Sequence, residues 1–207
     1  MTLETWSVYV ATVLVLMCTP GPSQLLMLSN SIGNGFRRSL LTAAGDLSAN
    51  LLQMLAAGLG VGALVLASGS VFAALQWAGV AYLLWLGVRT FRRAGTGGIT
   101  PGAFASGRQL WWQGFVTSAA NPKAILFFAA LFPQFIDSEL AFWPQFLLLS
   151  VTYLAMDAAF LALYGSSAAL LAQRLSGVAR RRLDRIAGLC LIGAALLLGS
   201  KTASRPV

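Results

Sequence analysis

Asp157 sits in the middle of an apolar run at 143–172, with Tyr153 at i−4 and Tyr164 at i+7 on the same helical face. A carboxylate at such a depth in lipid costs roughly 2.5–3.5 kcal/mol on insertion scales, so its presence asks for a reason. Two chemistries suit it: binding a proton, or coordinating the ammonium of a solute. A structural ion pair, with Lys123 as partner, is the plainer alternative. Lys123 follows Asn121-Pro122 and precedes an apolar stretch. At the start of a half-helix, its charge and the free N–H groups would favour a carboxylate. Near an interface it would merely snorkel. Asp46, Asn50 and Gln53 stand at i, i+4 and i+7, with Ala57 and Gly60 continuing the stripe. Polar side chains on one face of a lipid helix point to protein or to a cavity. Asn50 and Gln53 as interhelical glue, and Asp46 at the interface, are the alternatives weighed against a site.

Two interruptions supply the rest of the candidate site. The first is Cys18-Thr19-Pro20-Gly21-Pro22-Ser23-Gln24. Pro20 and Pro22 remove backbone donors and Gly21 adds freedom, so a continuous helix is not expected there. The second is Asn121-Pro122-Lys123. In lipid, carbonyls freed at a break must be satisfied by protein or water. Paired breaks at matching places in two halves point to a transport site, whereas either break alone would be a structural kink. Pro20, Gly21, Pro22, Gln24, Asn50, Gln53, Asn121, Pro122, Lys123, Tyr153 and Tyr164 are the candidate substrate ligands. Asp157 and Asp46 are the candidate proton-coupling acids.

The elements that hold these residues follow from composition. Of 207 residues, 57% are hydrophobic and 10% charged, against roughly a quarter charged in a soluble domain. Only a bilayer absorbs that much apolar surface. Six apolar runs can be read, near 6–32, 40–67, 70–88, 111–133, 143–172 and 186–200, with the boundary around Ser68-Gly69-Ser70 setting the second apart from the third. Gly58 and Gly62 form a GxxxG that suits close packing. Arginines concentrate in alternate connections: Arg37 and Arg38, then Arg89, Arg92, Arg93 and Arg108, then Arg174, Arg180, Arg181, Arg182 and Arg185. By the positive-inside rule these connections face the cytoplasm and both termini the periplasm, with the basic tail at Lys201 and Arg205 a weaker opposing signal. Glu4 stands where a signal peptide would carry a base, so the first run reads as a span and not as a leader. The expected fold is an all-α membrane protein of six transmembrane helices. They form two inverted three-helix repeats, 1–93 and 111–207, joined by a cytoplasmic linker at 94–110, with the first helix of each half broken at proline.

Several classes are disfavoured. The net charge of +8 falls in short loop clusters without interleaved aromatics, which argues against nucleic acid. There is no His, and Cys18 and Cys190 both lie in apolar runs without metal or dithiol spacing, so no metal and no cofactor are expected. No nucleophile–base arrangement supports an enzyme. A redox-type membrane carrier or a structural assembly subunit is the alternative to a transporter.

The opening Met1-Thr2-Leu3-Glu4, the Thr19-Pro20-Gly21-Pro22 break, the run from Trp77 to Gly87, and Asn121-Pro122-Lys123 through Phe132-Pro133-Gln134-Phe135 together resemble the LysE/RhtB family of bacterial amino-acid exporters. The resemblance spans essentially the whole chain and is closer to the RhtB branch of homoserine and threonine exporters. Asp46 departs from that branch, where an acid is often lacking, and is similar to the exporters of basic amino acids. The resemblance implies efflux of an amino acid or derivative across the bacterial inner membrane, driven by proton exchange. A homodimer is compatible with it.

Overall fold

A computed structural model describes residues 1–19, 21–60, 69–95, 105–137, 139–174, 182, 185–186, 188–193, 195–196 and 199–200. Pro20, Ser68, Gly62, most of the expected linker, Arg180, Arg181 and parts of the sixth run lie outside the described residues. All regular structure among the described residues is helical, with no strand.

Helix α1, Leu3–Cys18, starts where the Thr2 side chain accepts from the Thr5 N–H. It ends at the first break, and α2, Pro22–Asn34, begins on a proline whose missing N–H costs nothing at that position. The two meet at 56°. Gly35, at φ +83°, then turns the chain directly into α3, Phe36–Gly58, a backbone angle that L side chains rarely adopt. Helix α4 covers Gly69–Gly95, so Gly69 and Ser70 of the expected boundary belong to it, while Ser68 lies outside the described residues. The third run was expected to stop at 88, with Arg89, Arg92 and Arg93 in a loop. These three arginines instead lie in α4, because arginine is a good helix former and 27 residues reach about 40 Å, beyond a hydrocarbon core of about 30 Å.

Helix α5, Gly107–Ala119, opens with a reciprocal cap between Ser106 and Gln109. After the second break comes α6, Pro122–Leu126, capped by the Asn121 side chain. A π turn at Phe127–Leu131 and a 3₁₀ turn at Phe132–Phe135 complete this span, which bends by 52° at the break. The long α7, Phe142–Arg174, buries Ser150, Tyr153, Asp157, Leu161 and Gly165 on one face. Leu147, Leu148, Val151, Leu163 and Leu170 are exposed on the other. Water would not tolerate so much exposed leucine; lipid does.

By length and apolarity, α7 alone qualifies as a membrane span among the described residues, or three segments do if each bent pair is one span. Helix α3 has 23 residues, but Ser39, Thr42, Asp46, Asn50 and Gln53 make it more polar than a helix that meets lipid all round. It is wrapped by α2, α5 and α7 instead.

The tightest crossing is α3 against α5. A Cβ on Gly45 would collide with the Trp111 carbonyl, and one on Gly114 with the Thr42 carbonyl, so the backbones touch through two glycines from different helices. Gly58, singled out as half of a GxxxG, faces the rings of Phe142 and Phe146. An aromatic cluster of Tyr9, Phe127, Phe128, Phe132, Phe146 and Tyr153 fills the space between α1, α7 and the turns after α6.

Candidate functional site

The two breaks face each other, and at each a proline removes an i+4 donor, so that Leu16 O and Ser118 O keep only an i+3 bond from Thr19 and Asn121. At the first, Lys123 Nζ donates to Leu16 O at 3.1 Å and Thr19 O at 2.8 Å. A cation on the C-terminal carbonyls of α1 also suits the helix dipole. Gly21 lies against this lysine: a Cβ there would stand in ordinary contact with Nζ, at 3.4 Å. At the second break, Gln53 Nε2 from α3 donates to Ser118 O at 3.3 Å and Ala119 O at 3.2 Å. Each interruption is therefore held open by a side chain from another element. Asn121 Nδ2 reaches across to Ser23 Oγ at 3.4 Å, which links the two breaks.

Behind the breaks lies a buried acid pair. The Asn50 amide nitrogen donates to Asp46 Oδ2 at 2.9 Å and to Asp157 Oδ2 at 2.7 Å. Its carbonyl accepts from Ser118 Oγ at 2.9 Å. Asp46, Asn50, Ser118 and Asp157 are each 3% exposed or less. Asp46 Oδ1 has no hydrogen-bond partner. One amide thus bridges two carboxylates from α3 and α7, and one buried acceptor is left over.

Leu16, Met17, Ser23, Gln24, Asp46, Asn50, Ser118, Asn121, Lys123, Ala124, Tyr153 and Asp157 line a single cavity of about 10 Å³, room for about one water centre. Among the described residues, neither carboxylate forms an ion pair with Lys123, although all three groups share this wall.

Of the residues read from sequence, Gln24, Asn50, Asn121, Lys123, Tyr153, Asp46 and Asp157 come together here. Gly21 caps α2, its N–H donating to Gln24 Oε1 at 3.0 Å, and Pro22 and Pro122 start the half-helices. Gln53 works on backbone carbonyls just outside the cavity wall. Tyr164 is not part of the wall; it lies seven residues beyond Asp157 on α7. Pro20 lies outside the described residues. Ser23, Ser118, Met17, Leu16 and Ala124 were not anticipated. A serine or an alanine in a helix carries no pattern of its own, and only Ser118's place one turn before the second break could have suggested it.

Charged and amide groups buried between broken, lipid-facing helices are the construction of a transporter, which moves a solute and is not an enzyme. The chain belongs to the LysE type translocator family, whose model matches residues 14–202. It is 34% identical over 205 residues to an uncharacterized membrane protein of Vibrio cholerae, covering 98% of this chain and 100% of the relative. A homoserine/homoserine lactone efflux protein of Salmonella typhimurium is 35% identical over 177 residues, 85% of this chain and 84% of the relative. A leucine efflux protein of an Enterobacter species is 34% identical over 158 residues, 72% of each. No solved structure matches the chain.

Proposed function

We propose that this translocator exports an amino acid or a close derivative across the bacterial inner membrane in exchange for protons. The observation that carries the reading is the arrangement of charge around one cavity. The acid pair Asp46 and Asp157 shares its wall with Lys123, Asn121 and the first turn of α2 at Ser23 and Gln24. An α-amino acid has the complementary pattern, an ammonium beside a carboxylate. In this reading Asp157, with the unpartnered Oδ1 of Asp46, takes the ammonium. The start of α2, together with Asn121 and Lys123, takes the carboxylate, and Tyr153 closes the wall. When the solute has left, a proton on the acid pair replaces its positive charge and carries the site back. The relatives named for homoserine, homoserine lactone and leucine efflux support the substrate class.

Alternating access would use the two bends as hinges. Inverted halves at 1–93 and 111–207 are supported by the similar bends of 56° and 52° in the first span of each. They are also supported by which elements pack together. Helix α3, the second span of the first half, meets the first span of the second half at Gly45 and Gly114, and α2 meets α7 at Gly165. Helix α4 meets the sixth run where Gly87 and Gly188 approach. An exchange of partners of this kind is what a two-fold axis in the membrane plane produces.

The test is a counterflow screen of amino acids with purified protein in liposomes. Saturable flux of at least one amino acid is expected, and Asp157→Asn should abolish it, without loss of folded yield. No flux for any amino acid would sink the exporter reading. Normal flux through Asp157→Asn would remove that acid from the mechanism.

A further inference from the structure

Ser118 is absent from every motif in the sequence, yet its hydroxyl, which also lies beside Asp46, holds the carbonyl of Asn50 and so sets how that amide faces the acid pair. Its Oγ donates to Asn50 Oδ1 at 2.9 Å, and both residues are buried to within 2% of full exclusion. A primary amide has two N–H donors on one side and one carbonyl on the other. With the carbonyl held by a hydroxyl donor, both N–H groups must face Asp46 and Asp157, and each acid receives one. Turned the other way, the amide would present an acceptor to two carboxylates, which leaves three buried acceptors facing one another.

The position of Ser118 gives this contact a mechanical meaning. It lies in the last turn of α5, one residue before Ala119 and three before Asn121, at the mouth of the second break. Its own carbonyl is held by Gln53, and Gln53 and Asn50 stand on the same face of α3. Ser118 therefore joins the mouth of the break to α3 twice, through its carbonyl to Gln53 and through its hydroxyl to the amide between the acids.

We propose that Ser118 is a positioning residue for transport: through the Asn50 amide, it ties the state of the second proline break to the pairing of Asp46 with Asp157. This rests on the exporter reading above for its consequence in flux, though the hydrogen-bond linkage itself can be read without any solute. The groups that face the pair are Lys123 from α6 and Tyr153 from α7, with the hydroxyls of Ser23 from α2 and of Ser118 itself beside Asp46, and Gln24 as a neutral neighbour.

Two measurements on full-length protein test it. The first is infrared titration of the buried carboxyl band in detergent, which needs no substrate. Ser118→Ala should displace the titration midpoint in the same direction as Asn50→Ala, and the double variant should move it no further than Asn50→Ala alone. Ser118→Thr, which keeps the hydroxyl, should restore the wild-type curve. Thr117→Val removes a neighbouring buried hydroxyl that has no hydrogen-bond partner, and should leave the curve in place. The second measurement is counterflow. Ser118→Ala should slow exchange about tenfold, the scale of one lost hydrogen bond to a buried polar network, and should have no effect in an Asn50→Ala background. An unmoved band in Ser118→Ala, or a Ser118→Ala effect that persists when Asn50 is already alanine, overturns the proposal. A displaced band in a protein that carries no amino acid would keep the linkage and sink only the exporter reading.

Discussion

At the scale of residues, Lys123 and Gln53 show how a side chain that looks like a ligand can be a structural cap. Lys123 satisfies two carbonyls left by the first break and Gln53 two left by the second. Replacing Lys123 with Met should therefore destabilise the fold by about 1–2 kcal/mol even without solute, seen as earlier thermal unfolding in detergent. Unchanged unfolding with lost flux would instead make the lysine a ligand alone. The stripe of Asp46, Asn50 and Gln53 was legible because a helix repeats its faces every three to four residues. The acid at 157 was legible because charge in lipid is costly. What Lys123 and Gln53 touch was not legible: their partners are main-chain oxygens, which every residue possesses and no side-chain pattern marks. Ser118 and Ser23 escaped for the related reason that a small hydroxyl is unremarkable until its neighbour is known.

At the scale of elements, the closest helix approach is made by two glycines that share no motif. Gly45 and Gly114 lie on different helices, so spacing within either sequence says nothing of their meeting. A methyl at Gly114 would meet the backbone of Thr42 and Asp46, which cannot move aside as a flexible side chain could. Gly114→Ala is expected to cost 3 kcal/mol or more, the upper end of about 1–3 kcal/mol for overpacking, read as a collapse of monodisperse yield on size exclusion. Gly33→Ala is the contrast. Nothing lies within 4 Å of a Cβ there, so the change should be neutral or stabilise α2 by about 0.5–1 kcal/mol. The breaks themselves were readable from proline chemistry, and both occur. The far end of α4 was not, because arginine ends an apolar run without ending a helix.

At the scale of the whole molecule, charge distribution gives an orientation that can be checked directly. Arginines at the starts of α3 and α5 and at the ends of α4 and α7 would lie on one side of the bilayer. Reporter fusions at either terminus should then be active outside the cytoplasm, and an insertion within 96–104 active inside it. The opposite pattern would reverse the proposed direction of the two halves. Apolar composition made the membrane setting legible from the start. The wrapping of α3 by its neighbours was not, since a polar stripe tells that a helix is covered and not by what.

The smallness of the central cavity has a consequence for the cell that houses the protein. Inner membranes store energy as a voltage and a proton gradient, and any wet thread through a carrier would discharge both. This cavity has space for about one water centre beside the stacked rings of Phe127 and Tyr153, too little for a file of water within it. Under the proposed exchange, the packing around the acid pair would serve as electrical insulation as well as a place for solute, and a cell could then keep many copies of this protein without leaking the gradient on which they would run.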